Sequence, residues 1–231
     1  MKILINTSSN FKGGGIQVAK SFIEECKKFN ENEYYVVLSK NMVKVIDKSK
    51  FASNFFFYDA PFRPATKFFS LYSHNSFLKK IENKFRPDIV FTTSGPSYWR
   101  PKKLHIMGYN IPHYIYPESP YFNKIKLLNR VLWKLRKKFA IYFFNRDGDV
   151  FVVQTDDVNK RLKNIMPSKK IFTVTNTVNS YYVNQLKRPF KLPPCINNEF
   201  RLLTLSAWYP HKNLDIIPKV IDLLIQRGYP N

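Results

Sequence analysis

Lys2-Ile3-Leu4-Ile5-Asn6, then Gly13-Gly14-Gly15, then Ile16-Gln17-Val18-Ala19, read in order as a buried strand, a glycine loop and the start of a helix. The chain has seven glycines, and three of them stand side by side here. Glycine lets the backbone turn with positive φ and lets another molecule approach where a Cβ would intrude. The helix that follows aims its free N–H groups and its positive dipole end at the loop, an arrangement suited to phosphate or another anion. A tight turn with no ligand would use the same residues. Position favours the ligand, because the first strand-to-helix turn of an α/β chain is where small molecules bind most often.

Outward from this stretch, short apolar runs alternate with longer amphipathic segments, the pattern of a parallel sheet with helices on both faces. Strands are expected at 2–6, 34–38, 54–58, 88–92, 104–108, 149–154 and 171–175. Helices are expected at 16–29 and 66–85, the second stopped by Arg86-Pro87 because the residue before proline avoids the helical region. Thr155 is placed to cap a further helix that carries Asp156 and Asp157 in its first turn. The segment 181–199 holds Pro189, Pro193 and Pro194 among polar and basic residues and reads as a linker. The pattern then restarts with a strand at 200–205 and a helix at about 214–227, ended by Gly228. The expected organisation is an N-terminal Rossmann-like domain over 1–180, a linker, and the start of a second Rossmann-like unit over 200–231. Such a unit of one strand and one helix is too small to enclose a core of its own.

Bulk composition narrows the function classes. The 231 residues are 44% apolar, ordinary for a globular protein. Two cysteines, Cys26 and Cys195, lie far apart and suggest neither a disulfide framework nor a metal cluster, which fits a reducing cytoplasm. No secretory signal or membrane-spanning run is apparent. The net charge of +22 asks for an anionic partner. No helix-turn-helix, zinc-finger or RNA-recognition signature accompanies it, so nucleic acid is not the expected one.

Between 124 and 146, Leu128, Leu132, Leu135, Phe139 and Tyr142 recur at alternating steps of four and three, one face of a helix. Lysines and arginines crowd the rest. The apolar stripe is expected to pack on the sheet, and the surplus charge points to an anionic membrane surface. Asp147-Gly148-Asp149 has the form of a metal-holding Asp-x-Asp element, but its position favours a helix C-terminal glycine with two turn acids. The four histidines, His74, His105, His113 and His211, show no metal-binding spacing. His113 and Asn110 lie in the loop just after a strand and Ser94 in a small-residue turn after another, which makes them candidates for contacts at the sheet's C-terminal edge. Glu118, in Tyr116-Pro117-Glu118-Ser119-Pro120, is a possible acidic group of the site.

The glycine loop, Arg86-Pro87-Asp88-Ile89-Val90, Val153-Gln154-Thr155, Thr175-Asn176-Thr177-Val178 and the run from Leu205 to Leu214 occur in an order and spacing that resemble a GT-B glycosyltransferase of the family-four-like group (glycosyl transferases group 1). The resemblance covers nearly the whole chain. It implies two Rossmann-like domains, an N-terminal one for the acceptor and a C-terminal one for a nucleotide-diphosphate sugar. It maps donor phosphate contacts onto Gly14, Gly15 and Lys212, while the family's phosphate-binding Arg falls on Ala207. It places His113, the candidate catalytic residue, on the acceptor side near the reacting sugar, and Asn110, Glu118 and Ser94 are then the acceptor-side candidates. It also implies retaining transfer without a metal or other cofactor, the nucleotide sugar being a co-substrate.

The family's glutamate pair would lie beyond Asn231, so the chain reads as truncated early in the donor domain and inactive by itself. The expected setting is surface-polysaccharide synthesis, transferring sugar to a glycan or lipid-linked acceptor from the cytoplasm or the inner face of the membrane. The competing expectation is a non-catalytic acceptor domain that binds a membrane or a partner.

Overall fold

The computed structural model describes residues 1–64, 68–176, 201–206 and 212–229. The linker at 181–199, Cys195, Ala207 and His211 lie outside them. The chain divides into two compact units, one comprising Met1–Pro117 and Lys126–Thr177, the other Glu118–Ile125 and Val178–Asn231.

The first unit is built on seven parallel strands: β1 (Lys2–Thr7), β2 (Glu33–Leu38), β3 (Phe55–Asp59), β4 (Ile89–Thr92), β5 (Leu104–Gly108), β6 (Val150–Val153) and β7 (Lys170–Thr173). Their order across the sheet is β3-β2-β1-β4-β5-β6-β7. This is the doubly wound, Rossmann-like α/β order with one strand added, and it reverses direction between β1 and β4. β1 pairs with β2 in the register Lys2↔Glu33 and with β4 in the register Ile3↔Ile89.

Side chains on a strand alternate between faces, and β1 serves a core on each. Ile5 packs with Ala19 and Ile23 of α1 (Gly14–Glu25) and Met42 of α2 (Lys40–Val43). Leu4 packs with Leu78 and Ile81 of α3 (Phe68–Phe85), together with Val90 and Trp99. A third cluster joins Met107, Phe151 and Val153 to Phe144 of α4 (Leu127–Asp147) and Leu162 of α5 (Asp156–Ile165). Helices therefore cover both faces of the sheet, as expected.

All seven expected strands of this unit are present, and α1 gives way to a short 3₁₀ turn at Cys26–Lys28 where a longer helix was read. Thr155 caps α5, its hydroxyl accepting from the Val158 N–H at 3.3 Å. Gly148 does end α4, but at φ −94, not in a left-handed turn. Its lack of a side chain serves packing, since a Cβ there would fall 2.5 Å from the Phe151 ring.

Two expectations need correction. The apolar stripe of α4 does not pack on the sheet. Leu128 is 71% and Leu135 59% exposed, and Leu132, Phe139 and Tyr142 are also exposed. The helix buries Ala140, Phe143, Phe144 and Asp147 instead, near its C-terminal end. The sheet thus grips the end of α4 that leads into β6, which leaves the longer stripe on another side.

In the second unit, 201–206 forms no strand: a strand needs a hydrogen-bonded neighbour, and none pairs with it among the described residues. The expected helix is present as α6 (Ile216–Gln226), and Gly228 follows it at φ +77, the conformation glycine tolerates best. α6 buries none of its side chains.

Candidate functional site

At the C-terminal edge of the sheet the chain leaves β1, crosses Ser8 to Gly13 and enters α1. Gly13, at φ +60, makes the turn as the residue before the helix, and no side chain caps it. A Cβ built on Gly13 or Gly14 would meet no atom within 4 Å, so the backbone here faces open space. The first turn of α1 carries no acid. Lys12 is exposed beside it, and the Arg63 guanidinium lies 4.7 Å from the Phe11 ring centre. The N–H groups of a first helical turn have no acceptor within their own helix. Open backbone, positive dipole and nearby cations together make an anion-receiving surface.

Asn10, buried and absent from the sequence reading, holds this loop. Its side-chain Nδ2 donates to the Gly15 carbonyl at 2.7 Å, and its Oδ1 accepts from the Thr93 hydroxyl at 2.8 Å. Its carbonyl accepts from Ser39 Oγ at 2.6 Å, the same hydroxyl that caps α2. Thr93 in turn accepts on its carbonyl from Asn110 Nδ2 at 3.2 Å. Gly95 N–H donates to the Gly108 carbonyl at 2.9 Å, and Ser9 Oγ donates to the Pro96 carbonyl at 3.3 Å. Gly108 permits this stitching, because a Cβ there would sit 2.3 Å from the Thr93 carbonyl oxygen. The loops after β1, β4 and β5 are thus tied into one edge at the point where the strand order reverses.

Beneath that edge runs a buried polar chain. Ser8 Oγ donates to Asn6 Oδ1 at 2.6 Å, Asn6 Nδ2 donates to Thr92 Oγ1 at 3.2 Å, and Thr92 Oγ1 lies 2.7 Å from His105 Nε2. His105 Nδ1 lies 2.8 Å from the Asp147 carbonyl. The network assigns the proton of His105 to Nδ1, with the Thr92 hydroxyl donating to Nε2. At the other end, His74 Nε2 lies 3.3 Å from Ser8 Oγ. Burial holds both imidazoles down to a pKa of about 4, so both are neutral near pH 7.

Of the residues singled out from sequence, the structure brings Gly14, Gly15, Ser94 and Asn110 to this one edge. His113 lies in the 3₁₀ turn Pro112–Tyr114 that follows, exposed, its ring 4.4 Å from that of Tyr114. Glu118 and Lys212 are exposed and belong to the second unit. Asp147 and Asp149 sit at the opposite, N-terminal edge of the sheet, where β6 begins, and both serve the fold. Arg146 Nε donates to Asp147 at 2.5 Å, and Asp149 accepts from the His105 N–H at 3.0 Å. Among the described residues no group of His, Cys, Asp and Glu side chains gathers in a metal-holding cluster.

Sequence reasoning missed Asn10, the bridging part of Thr93 and the buried roles of His74 and His105. One signal was present for the first: polar residues continue from Asn6 to Asn10 without a break before the glycines.

No family model matches the sequence, and neither does any curated protein. Among solved structures the chain is similar to a UDP-GlcNAc 2-epimerase from Neisseria meningitidis bound to UDP-GlcNAc. The identity is 16%, over 75% of this chain and 46% of that one, with a TM-score of 0.44. It is also similar to a UDP-glucosyltransferase from Polygonum tinctorium capable of glucosylating indoxyl. Here the identity is 9%, over 85% of this chain and 56% of that one, with a TM-score of 0.45. The chain spans about half the length of these structures. The fold assignment rests on the strand order itself.

Proposed function

We propose that this chain is part of a GT-B glycosyltransferase of the family-four-like group, moving sugar from a nucleotide-diphosphate sugar to a glycan or lipid-linked acceptor. The observation that carries the reading is the open glycine turn at the β1–β4 reversal, braced by Asn10 so that its backbone stays presented. Departure of a nucleoside diphosphate from an anomeric carbon builds negative charge on the leaving phosphate. Fixed N–H groups, a helix N-terminus and cations such as Lys212 stabilise such charge without reorganising during the reaction. In this reading Gly14 and Gly15 approach the donor diphosphate, Lys212 holds it as a point charge, and Ser94, Asn110, His113 and Glu118 lie on the acceptor side. Transfer proceeds with retention and without a metal, at the inner face of a membrane in surface-polysaccharide synthesis.

Calorimetric titration with a panel of nucleoside diphosphates and their sugar conjugates tests this. Binding by the chain, lost in Gly14→Val, supports the reading. Failure of every panel member to bind, or equal binding by Gly14→Val, overturns it.

A second reading, a non-catalytic module that docks on a membrane, is favoured by the exposed apolar and basic surface of α4. It predicts vesicle binding with no affinity for any nucleotide sugar.

A further inference from the structure

The long helix α4 carries a surface that the nucleotide reading leaves unused. Leu127, Leu128, Val131, Leu132, Leu135, Phe139 and Tyr142 are all exposed. At 3.6 residues per turn they fall within an arc of about 140°. The buried residues Ala140, Phe143, Phe144 and Asp147 occupy a different arc. Exposed Lys134 borders the apolar arc on one side and exposed Lys138 falls just inside that same edge, with exposed Arg136 beyond the other edge. The one acid of the helix is Asp147, buried at its end and bonded to Arg146.

The surface is continuous with the candidate site. Tyr98, in the loop that follows β4, packs edge-on against Phe143 at 5.0 Å and lies tilted against Phe139 at 6.1 Å. Tyr114, beside His113, lies 6.0 Å from Trp133 of α4. The contact from Tyr98 to Phe139 therefore leads from the loop after β4 onto the exposed face, whereas Trp133 falls on the other side of the helix.

We propose that α4 is a docking helix that lies along an anionic bilayer surface, its apolar arc in the acyl boundary and its lysines on lipid phosphates. Three occupants compete for such a face. A membrane-spanning role is excluded for this helix, because no helix among the described residues is long and apolar enough. A second copy of this chain would bring like charge against like on a molecule of net charge +22. An anionic lipid surface complements both the apolar arc and the basic border. The docking does not depend on the transferase reading. Its consequence does: if both hold, the loops with Ser94, Asn110 and His113 receive an acceptor presented by the bilayer.

The test is co-sedimentation of the chain with vesicles of phosphatidylcholine, alone or mixed with equal parts of phosphatidylglycerol, with no sugar nucleotide present. The wild-type chain binds the mixed vesicles and not the neutral ones, and added salt weakens binding. The double variants Leu128→Glu/Leu135→Glu and Lys134→Glu/Lys138→Glu each lower binding about tenfold or more. These side chains are exposed, so circular dichroism and the thermal midpoint stay near wild type. Absence of vesicle binding overturns the proposal, as does binding that both variants retain. A wild-type dimer that the leucine variant dissociates, with vesicle binding unchanged, assigns the face to a second copy and also overturns it. Nucleotide-sugar titration of the same variants separates this outcome from the fate of the transferase reading.

Discussion

Asn10 shows how one side chain can hold a binding edge together without touching a ligand. It joins the glycine turn to Thr93, a residue 83 positions away. Replacing it with Ala removes bonds to Gly15 and Thr93, and a lost buried hydrogen bond costs about 1 to 3 kcal/mol. We expect Asn10→Ala to lower thermal stability moderately and to weaken nucleotide binding by more than the stability loss alone explains, read by calorimetry below the melting range. The glycines separate into two kinds. Gly14→Ala leaves stability near wild type, because its Cβ enters open space, whereas Gly108→Ala drives a Cβ into the Thr93 carbonyl and forces the edge apart. Urea midpoints distinguish them. Equal losses would mean that Gly108 is not held against Thr93. The glycine turn was legible from composition alone, since three of the chain's seven glycines stand together. The brace was not, because nothing local in Asn10 marks a partner so far along the chain.

At the scale of elements, the strands were the most readable part. Strands buried on both faces of a parallel sheet read as short continuous apolar runs, and β1, β2 and β4 do so. α4 shows where periodicity stops. The spacing of Leu128, Leu132, Leu135 and Phe139 gave a face correctly, but a face does not say what covers it. Phe144 is buried against Met107 of β5 and Phe151 of β6, and Phe143 packs on Tyr98 of the loop after β4, partners that the helix's own pattern does not encode. The 201–206 segment fails for a related reason, since a strand is a property of its partner as much as of its sequence. α5 offers a clean local test. Thr155→Ala removes the acceptor for the Val158 N–H and should cost about 1 kcal/mol, seen as a lower thermal midpoint with the sheet intact. Thr155→Ser should recover most of it.

For the whole molecule, the two buried histidines make stability depend on pH. Each titrates near 6.5 when unfolded and at about 4 when folded. Between those values the unfolded chain binds more protons than the folded one, so stability is present above about 6.5 and is lost as pH falls toward 4. The loss should reach a few kcal/mol, on the order of one for each unit of pH per group. Urea melts at pH 7 and pH 5 measure it, and His105→Gln should flatten the dependence while lowering stability at pH 7. The strand order has a consequence in time as well. β1 finds one neighbour in β2 but its other in β4, and Lys2 bonds to Asp88 across 86 residues. At a synthesis rate of roughly 5 to 20 residues per second, that interval lasts on the order of ten seconds. Late in it the growing chain holds β1, β2 and β3 with the edge of β1 that β4 will cover still unpaired, an invitation to the wrong partner. The ribosome-bound chain is therefore most in need of a chaperone just before β4 emerges, and a translational pause placed there would lower the yield of folded protein.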